Sequence, residues 1–523
     1  MKILVVLNDP PYGTERSYNG LRLAGALSKR EGVEVRMFLF GDAVGCAIGN
    51  QKVPDGYYHL DRMVTAVLRH GGEIGCCGTY LHGRPGLHRR AARRRRPPLH
   101  LGRGHGLDDL GRQGGDVLSA RVRIVILGGS FGGLTTAYEL RRHLSPERAE
   151  ITLVAKDERF SFVPSLPWVA MGRRSLEQIS FPLAAPLSRK HVVFAQETVT
   201  GIDTDAKVVT TTRAEHPYDF LVVATGHRSA NEAVPGLGPF DGPGHSPMSA
   251  PETTELAGAI TSLLADPGPV VVGAAPGASC IGPVYELAFE LDHLLRRRSH
   301  RHQVPITVLT PEPFLGHMGM GGAGTIRHLL EGALEERDIT YRTSVAITRI
   351  TDEAVEAEGL RPTPSVCSIV IPPLAGVEAV ATSPGLSNPK GFVPVDDHYR
   401  HQAADGVYAV GVAVALPPAG ETAVPVNFPK TGHMTEQMAD IAARDLAARI
   451  DGREGETAEL SARCVLDMGD RGAYMAVDPV RPPRNRIPTV SEGRRWLYAK
   501  QAFERAYLAT ARRGRRMPTT LGW

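Results

Sequence analysis

RVRIVILGGSFGGLTTAYEL, residues 121–140, decides the fold. An apolar run, Arg121 to Leu127, reads as a buried strand. A glycine-rich turn follows, and then a helical pattern opening on Phe131. Strand, glycine turn and helix in that order form the dinucleotide-binding βαβ start. Glycine serves there for the tight turn, for close approach to a pyrophosphate, and for packing helix on strand. Gly128 and Gly133 take the first and third places, Gly132 lies beside the third, and Ser130 stands in the middle place where glycine is usual. Backbone N–H groups at the start of the helix are the expected anion holders.

Working outward, GPVVVGAAPGASC (residues 268–280) is a second βαβ start, and the two together suggest a duplicated nucleotide-binding plan over 121–450, its second unit spanning about 267–385. Pro276 and the missing middle glycine argue against a good NADH site at that second turn. EITLVAKDERF (150–160) is the second strand of the first unit, and Asp157 after it is the candidate acid for ribose hydroxyls; a solvated turn residue is the competing reading. YDFLVVATG (218–226) ends in a small-residue turn that includes Thr225 and Gly226. GVYAVGVAVALPP (406–418) is a buried strand ending at Gly411, followed by Val412 where an acid is common.

The chain has 523 residues, 42% hydrophobic and 22% charged, which fits two or three soluble globular domains. A net charge of +4 with pI near 8.7 is no argument for nucleic-acid binding, because much of the excess sits in two local arginine clusters. Six cysteines at irregular spacing exclude a secreted disulfide scaffold and favour a reducing cytoplasm. The N-terminal apolar run reads as a strand rather than a signal peptide. No apolar run of about 18 residues is present, so no bilayer-spanning helix is expected. No metal site is expected either.

Residues 1–78 alternate strand and helix as a small parallel α/β unit. Residues 79–120, rich in arginine, glycine, histidine and proline, have two readings. One is a basic low-complexity linker. The other is a frameshift: Leu81 to Gly86 in GC-rich codons, CTG CAT GGA CGC CCG GGC, reads Cys-Met-Asp-Ala-Arg when moved one base, so that two adjacent genes would appear as one chain. The segment 451–523 ends in RRWLYAKQAFERAYLATARRGRR (494–516). Its Trp496, Phe503 and Tyr507 at helical spacing among basic residues suit either an anionic membrane surface or the protein's own core.

Six longer motifs come in order: FVPSLPWVAMG (162–172), GAAPGASCIGPVYELAFELD (273–292), PEPFLGHMGMGGAG (311–324), NPKGFVPVDDHYR (388–400), VPVNFPKTGHMTEQM (424–438) and LSARCVLDMGDRGAYMAVDPVRPPR (460–484). Over 121–515 the chain resembles the sulfide:quinone oxidoreductases. The resemblance implies a two-dinucleotide flavoprotein fold binding FAD, with Pro164 and Lys430 among the cofactor-binding residues. It implies Cys280 as the residue that receives sulfide sulfur beside the flavin, and Lys430 at a helix start by the flavin pyrimidine. It implies His317 near the quinone route. A helix N-terminus after Cys280 is expected to lower its thiol pKa. The second redox cysteine of the family falls on His398, and a further one near Met248, which leaves the two-cysteine relay in doubt. Electrons would pass from a reduced sulfur species to a membrane quinone, with the protein peripheral on the cytoplasmic face of the membrane. A thiol or persulfide acceptor and a homo-oligomer stay open. The N-terminal unit resembles the DsrE-like sulfur-relay fold through LNDPPYGTERSYNGLRLAGAL, GDAVGC, QKVPDGYY and CCGT. That resemblance makes Cys46 and Cys77 the candidate sulfur carriers. Two rivals are a type II NADH:quinone oxidoreductase and a non-catalytic flavin-bound sulfur carrier.

Overall fold

The computed structural model describes residues 1–12, 15–47, 53, 58–76, 121–238 and 242–517. Cys77 and the segment 79–120, with its two readings, lie outside the described residues. The chain divides into two compact units, Met1–Ala120 and Arg121–Trp523.

In the first unit, β1 (Lys2–Leu7), β2 (Glu34–Leu39) and β3 (Glu73–Cys76) pair in parallel in that order. Helices α1 (Arg16–Leu27) and α2 (Leu60–Arg69) supply Leu21, Ala24, Leu60, Val64 and Val67 to its core. The alternation expected of a strand with one buried face is clear in β2, where Val35, Met37 and Leu39 point inward. Cys46 is buried in the short 3-10 turn Gly41–Ala47. Leu4, Leu23, Phe40 and Leu68 remain exposed, an unusual set of large apolar groups for so small a unit.

The second unit carries two five-stranded parallel sheets. The first contains β4 (Val122–Leu127), β5 (Ala149–Ala155), β6 (Val193–Gln196), β7 (Phe220–Val223) and β12 (Val407–Ala409), in the order β12-β7-β4-β5-β6. The second has β8 (Val270–Ala274), β9 (Ile306–Leu309), β10 (Ile339–Arg342) and β11 (Cys367–Ile371), with the short strand Gly244–His245 beside β11 at one edge. Central strands read as continuous apolar runs because helices cover both faces of such sheets. Helix α3 (Phe131–His143) follows β4, and α4 (Ala250–Ala265) precedes β8; α5 (Gly282–Arg297) follows β8, and α6 (Gly432–Ile450) returns to pack along α3.

Beyond α6 the chain is not the set of amphipathic helices expected for 451–523. It forms a three-stranded antiparallel sheet, β13 (Ala462–Asp467), β14 (Gly472–Val477) and β15 (Thr489–Gly493), and a single helix, α7 (Arg494–Ala511). The aromatic face of α7 turns inward: Tyr507 is buried against Phe131, Phe160 and Phe162, and Trp496 stacks on Tyr474 with centroids 4.3 Å apart. Internal aromatic packing therefore claims the side chains that the helical spacing had offered equally to a membrane. Among the described residues no helix is long and apolar enough to cross a membrane.

Candidate functional site

All five strands of the first sheet run parallel, so their C-terminal ends form one edge, the place where open α/β sheets bind ligands. Residues 128–133 leave β4 there, Asp157 follows β5, Thr225 and Gly226 follow β7, and Gly411 follows β12. The glycines of the first turn are explained by contact. A Cβ on Gly133 would sit 1.9 Å from the Gly128 carbonyl oxygen, and one on Gly128, where φ is +109°, would sit 2.2 Å from the Ala224 oxygen. Gly132 lets α3 nest among Val410, Ala224 and Thr435, each within 3.3 Å of where its Cβ would be. Ser130 occupies the N-cap of α3, exposed, with its hydroxyl making no cap bond. The first N–H groups of the helix lack intrahelical partners.

Two further features suit a bound flavin nucleotide. The Thr225 hydroxyl is shielded from solvent and has no hydrogen-bond partner. Lys430, just before α6, places its ammonium 3.9 Å from the centre of the Phe392 ring and donates to the Val412 oxygen at 3.0 Å. Burial alone pushes its pKa down to about 7. An ammonium desolvated with no carboxylate beside it is poised for an anionic ligand group. The residues present therefore fit FAD: α3 and Ser130 at the pyrophosphate, Thr225, Gly226 and Gly411 along the sheet edge, Lys430 at the flavin. Asp157 is exposed two residues past the end of β5, and Pro164 is exposed in the turn Val163–Ser165.

The second βαβ turn differs. Gly277 donates to the Pro425 oxygen at 2.6 Å, Asn427 Nδ2 donates to the Gly277 oxygen at 2.6 Å, and the Asn427 N–H donates to the Ala278 oxygen at 3.0 Å. Segment 425–427 is thereby stitched onto the turn. The acid after β9, Glu312, is fully buried; it accepts from Tyr285, from Thr310 Oγ1 at 2.8 Å and from the Met318 N–H at 2.6 Å. Both groups that would hold a second dinucleotide are spent on internal bonds. The loop carrying His317 belongs to the same knot, since a Cβ on Gly319 would meet the Asn427 oxygen at 2.0 Å. His317 accepts from the Gly319 N–H at Nδ1, 3.3 Å, and burial lowers its pKa.

Cys280, His317 and Lys430 are thus gathered around one short segment, 425–430. His398 is not among them. Its Nε2 meets the Gly455 oxygen at 3.2 Å, beside Asp445 near the far end of α6. Asp445 lies about 20 Å along that helix from its start at Gly432, next to Lys430, at about 1.5 Å per residue.

Cys280 stands two residues before α5, yet its thiol pKa moves up, to about 11, through burial and the charge of Glu286. The expected lowering by the helix N-terminus is outweighed, because desolvation disfavours the thiolate and Glu286 lies on the first turns of the same helix. Glu286 opens a buried charged cluster that the sequence reading missed. It pairs with Lys500 of α7. Asp467 of β13 accepts from Trp168 Nε1 at 2.7 Å and Arg173 Nη1 at 2.8 Å. Both carboxylate oxygens of Glu290 lack a hydrogen-bond partner, and desolvation raises its pKa well above the ordinary value. Cys464, on the same strand as Asp467, feels the charges of Glu286, Lys500 and Cys280. The i, i+4 spacing of Glu286 and Glu290 on an otherwise apolar helix face was the one available signal.

Residues 122–435 match the family described as pyridine nucleotide-disulphide oxidoreductase, and residues 1–84 match the DsrE/DsrF-like family. A sulfide-quinone reductase of Aquifex aeolicus is 37% identical over 405 residues, 76% of this chain and 92% of that protein. The X-ray structure of the sulfide:quinone oxidoreductase from Aquifex aeolicus superposes with a TM-score of 0.73 at 36% identity, covering 76% of this chain and 93% of that one. A type II NADH:quinone oxidoreductase of Staphylococcus aureus is 25% identical over 373 residues, 68% of this chain and 90% of that protein.

Proposed function

The chain belongs to the pyridine nucleotide-disulphide oxidoreductase family, in the company of the sulfide-quinone reductases, and from that premise we propose that it is an FAD-dependent oxidoreductase carrying electrons from sulfide to quinone. The observation that carries this reading is the convergence of Cys280 and Lys430 on segment 425–430, while the second dinucleotide turn is closed by Asn427. Bound FAD supplies the two-electron acceptor between the two substrates.

The chain's own residues do the rest. Cys280 captures the sulfur. Its thiol is protonated at neutral pH, so capture requires a base, and Glu286 is the carboxylate whose charge it feels. Burial raises the pKa of Glu286 and so strengthens it as a base for that proton, while the Lys500 ammonium paired with it opposes the rise. Lys430, held by Val412 and Phe392, stabilises negative charge at the flavin. The closed second turn disfavours NADH as donor. Peripheral attachment to a membrane is supported by exposed apolar and basic side chains, Ile487, Tyr498, Arg494 and Arg505. The sulfur product passes to a thiol or persulfide acceptor. Cys46, in the DsrE-like unit, is buried and would need local opening to serve as one.

The test is anaerobic flavin spectroscopy of the whole chain, adding sulfide and then NADH, with Cys280→Ala alongside. Sulfide bleaches the wild-type flavin, leaves the variant yellow, and NADH bleaches neither. Rapid bleaching by NADH that ignores the substitution would replace this reading with the NADH dehydrogenase one.

A further inference from the structure

The unit Arg121–Trp523 contains three cysteines, Cys280, Cys367 and Cys464. Cys367 is buried inside the second sheet, on a strand with no exposed residue. Cys280 and Cys464 are each partly accessible. Their elements meet. At one end β13 is pinned to α6 near Lys430: the Ser461 N–H donates to Gln437 Oε1 at 3.0 Å, and Gln437 Nε2 donates to the Ser461 oxygen at 2.8 Å. At the other end it is seated on α5, since a Cβ on Gly282 would meet Leu466 Cδ2 at 3.7 Å. Cys464 and Leu466 are two residues apart on one strand and so share a face. Cys464 therefore projects towards the start of α5, where Cys280 stands two residues before Gly282. The Glu286–Lys500 ion pair acts on Cys464, Glu286 acts on Cys280, and the charge of Cys280 reaches Cys464.

We propose that Cys464 is the second sulfur-bearing catalytic residue of this enzyme, forming with Cys280 the pair between which sulfur from sulfide is held. The inference rests on the reading above and deepens it. Loading balances as follows. One hydrosulfide and the two thiols become a trisulfide, Cys280 Sγ–S–Sγ Cys464, with loss of three protons and four electrons. Two S–S bonds form and three S–H bonds break, and two molecules of quinone, the oxidant of the reaction, are reduced. The next hydrosulfide attacks the bridging sulfur and breaks its bond to Cys464. This leaves a hydrotrisulfide on Cys280 and a thiolate on Cys464, next to the Lys500 ammonium. His398 needs no part in this chemistry, which agrees with its place at the far end of α6.

The experiment is mass spectrometry of the full-length holoprotein. It is incubated anaerobically with sulfide and a short-chain ubiquinone analogue, quenched with N-ethylmaleimide, and digested without reductant. Peptides containing Cys280 and Cys464 joined through one or more added sulfur atoms are expected. Cys464→Ser, with its flavin content as the check on folding, is expected to carry sulfur on Cys280 but to give no joined peptide. Its flavin should be reduced by sulfide more slowly than that of the wild type, but, unlike that of Cys280→Ser, still be reduced. With one equivalent of sulfide and quinone in excess, so that no second hydrosulfide opens the bridge, recovery of Cys464 fully alkylated while Cys280 carries sulfur would overturn the pair and leave the sulfide reaction standing. Absence of sulfur on both, with no bleaching by sulfide, would overturn the reaction itself.

Discussion

The two glycine turns of the second unit have the same plan and opposite fates. After β4, residues 128–133 lead into a helix capped by an exposed Ser130 whose hydroxyl makes no cap bond. After β8, residues 273–280 lead into a helix as well, but Pro425 and Asn427 occupy the turn and Glu312 is bonded to its own loop. A dinucleotide turn is therefore defined by what its backbone is free to bind, and a strand–turn–helix pattern does not report that freedom. The second turn has become the support of a thiol.

The comparison can be broken most sharply at Gly133. Gly133→Ala drives a Cβ to 1.9 Å from a backbone oxygen, a clash with no flexible side chain to yield. It should cost at least about 1–3 kcal/mol and yield protein with little flavin. Flavin absorbance per chain and a thermal melt measure it; normal flavin content would mean that the first turn is not the pyrophosphate cradle. Next is Asn427→Ala, which strips the side-chain donor from the Gly277 oxygen and should lower stability by about 1–3 kcal/mol. NADH should still fail to bleach the variant, since Pro276 and the spent Glu312 remain; NADH-driven bleaching would show that Asn427 alone closes the turn.

Lys430 sharpens the contrast through pH. Its folded pKa, about 7, lies below the ordinary lysine value of 10.5, so the unfolded chain binds the extra proton between those limits. Stability therefore rises with pH across that window, and the cost of burying the charge is fully present below about pH 7. Lys430→Met should raise the melting temperature of flavin-free protein at pH 6 and change it little near pH 10.5. An equal effect at both pH values would remove the desolvation argument. The smallest effect belongs to Asp157→Asn. The residue is exposed at the sheet edge, so FAD affinity should fall by about 1 kcal/mol with the melt of flavin-free protein unchanged. Titration of flavin-free protein with FAD decides it.

Much of the architecture was legible in the chain. The strands around residues 122–127 and 270–274, their glycine turns and the helices after them stand where the apolar runs place them. Local periodicity and glycine chemistry are short-range signals that survive folding. Readings that depended on surroundings fared differently. The rise in the Cys280 pKa comes from burial and from Glu286. The inward turn of Tyr507 comes from three phenylalanines far away in sequence. The sheet β13–β15 fell in a segment read as helical because β13 buries consecutive residues, Val465, Leu466 and Asp467, so the alternation of a strand with one buried face is missing.

By itself the sequence determined two α/β units, a dinucleotide-type turn at residues 128–133, and Cys280 before a helix, since each is written in neighbouring residues. Only the tertiary structure decided that Asn427 closes the second turn, that Lys430 sits desolvated at the sheet edge, and that Cys464 comes beside Cys280. Those outcomes depend on contacts between distant segments and on the water they exclude, and a desolvated charge or thiol takes its chemistry from whatever group packs against it.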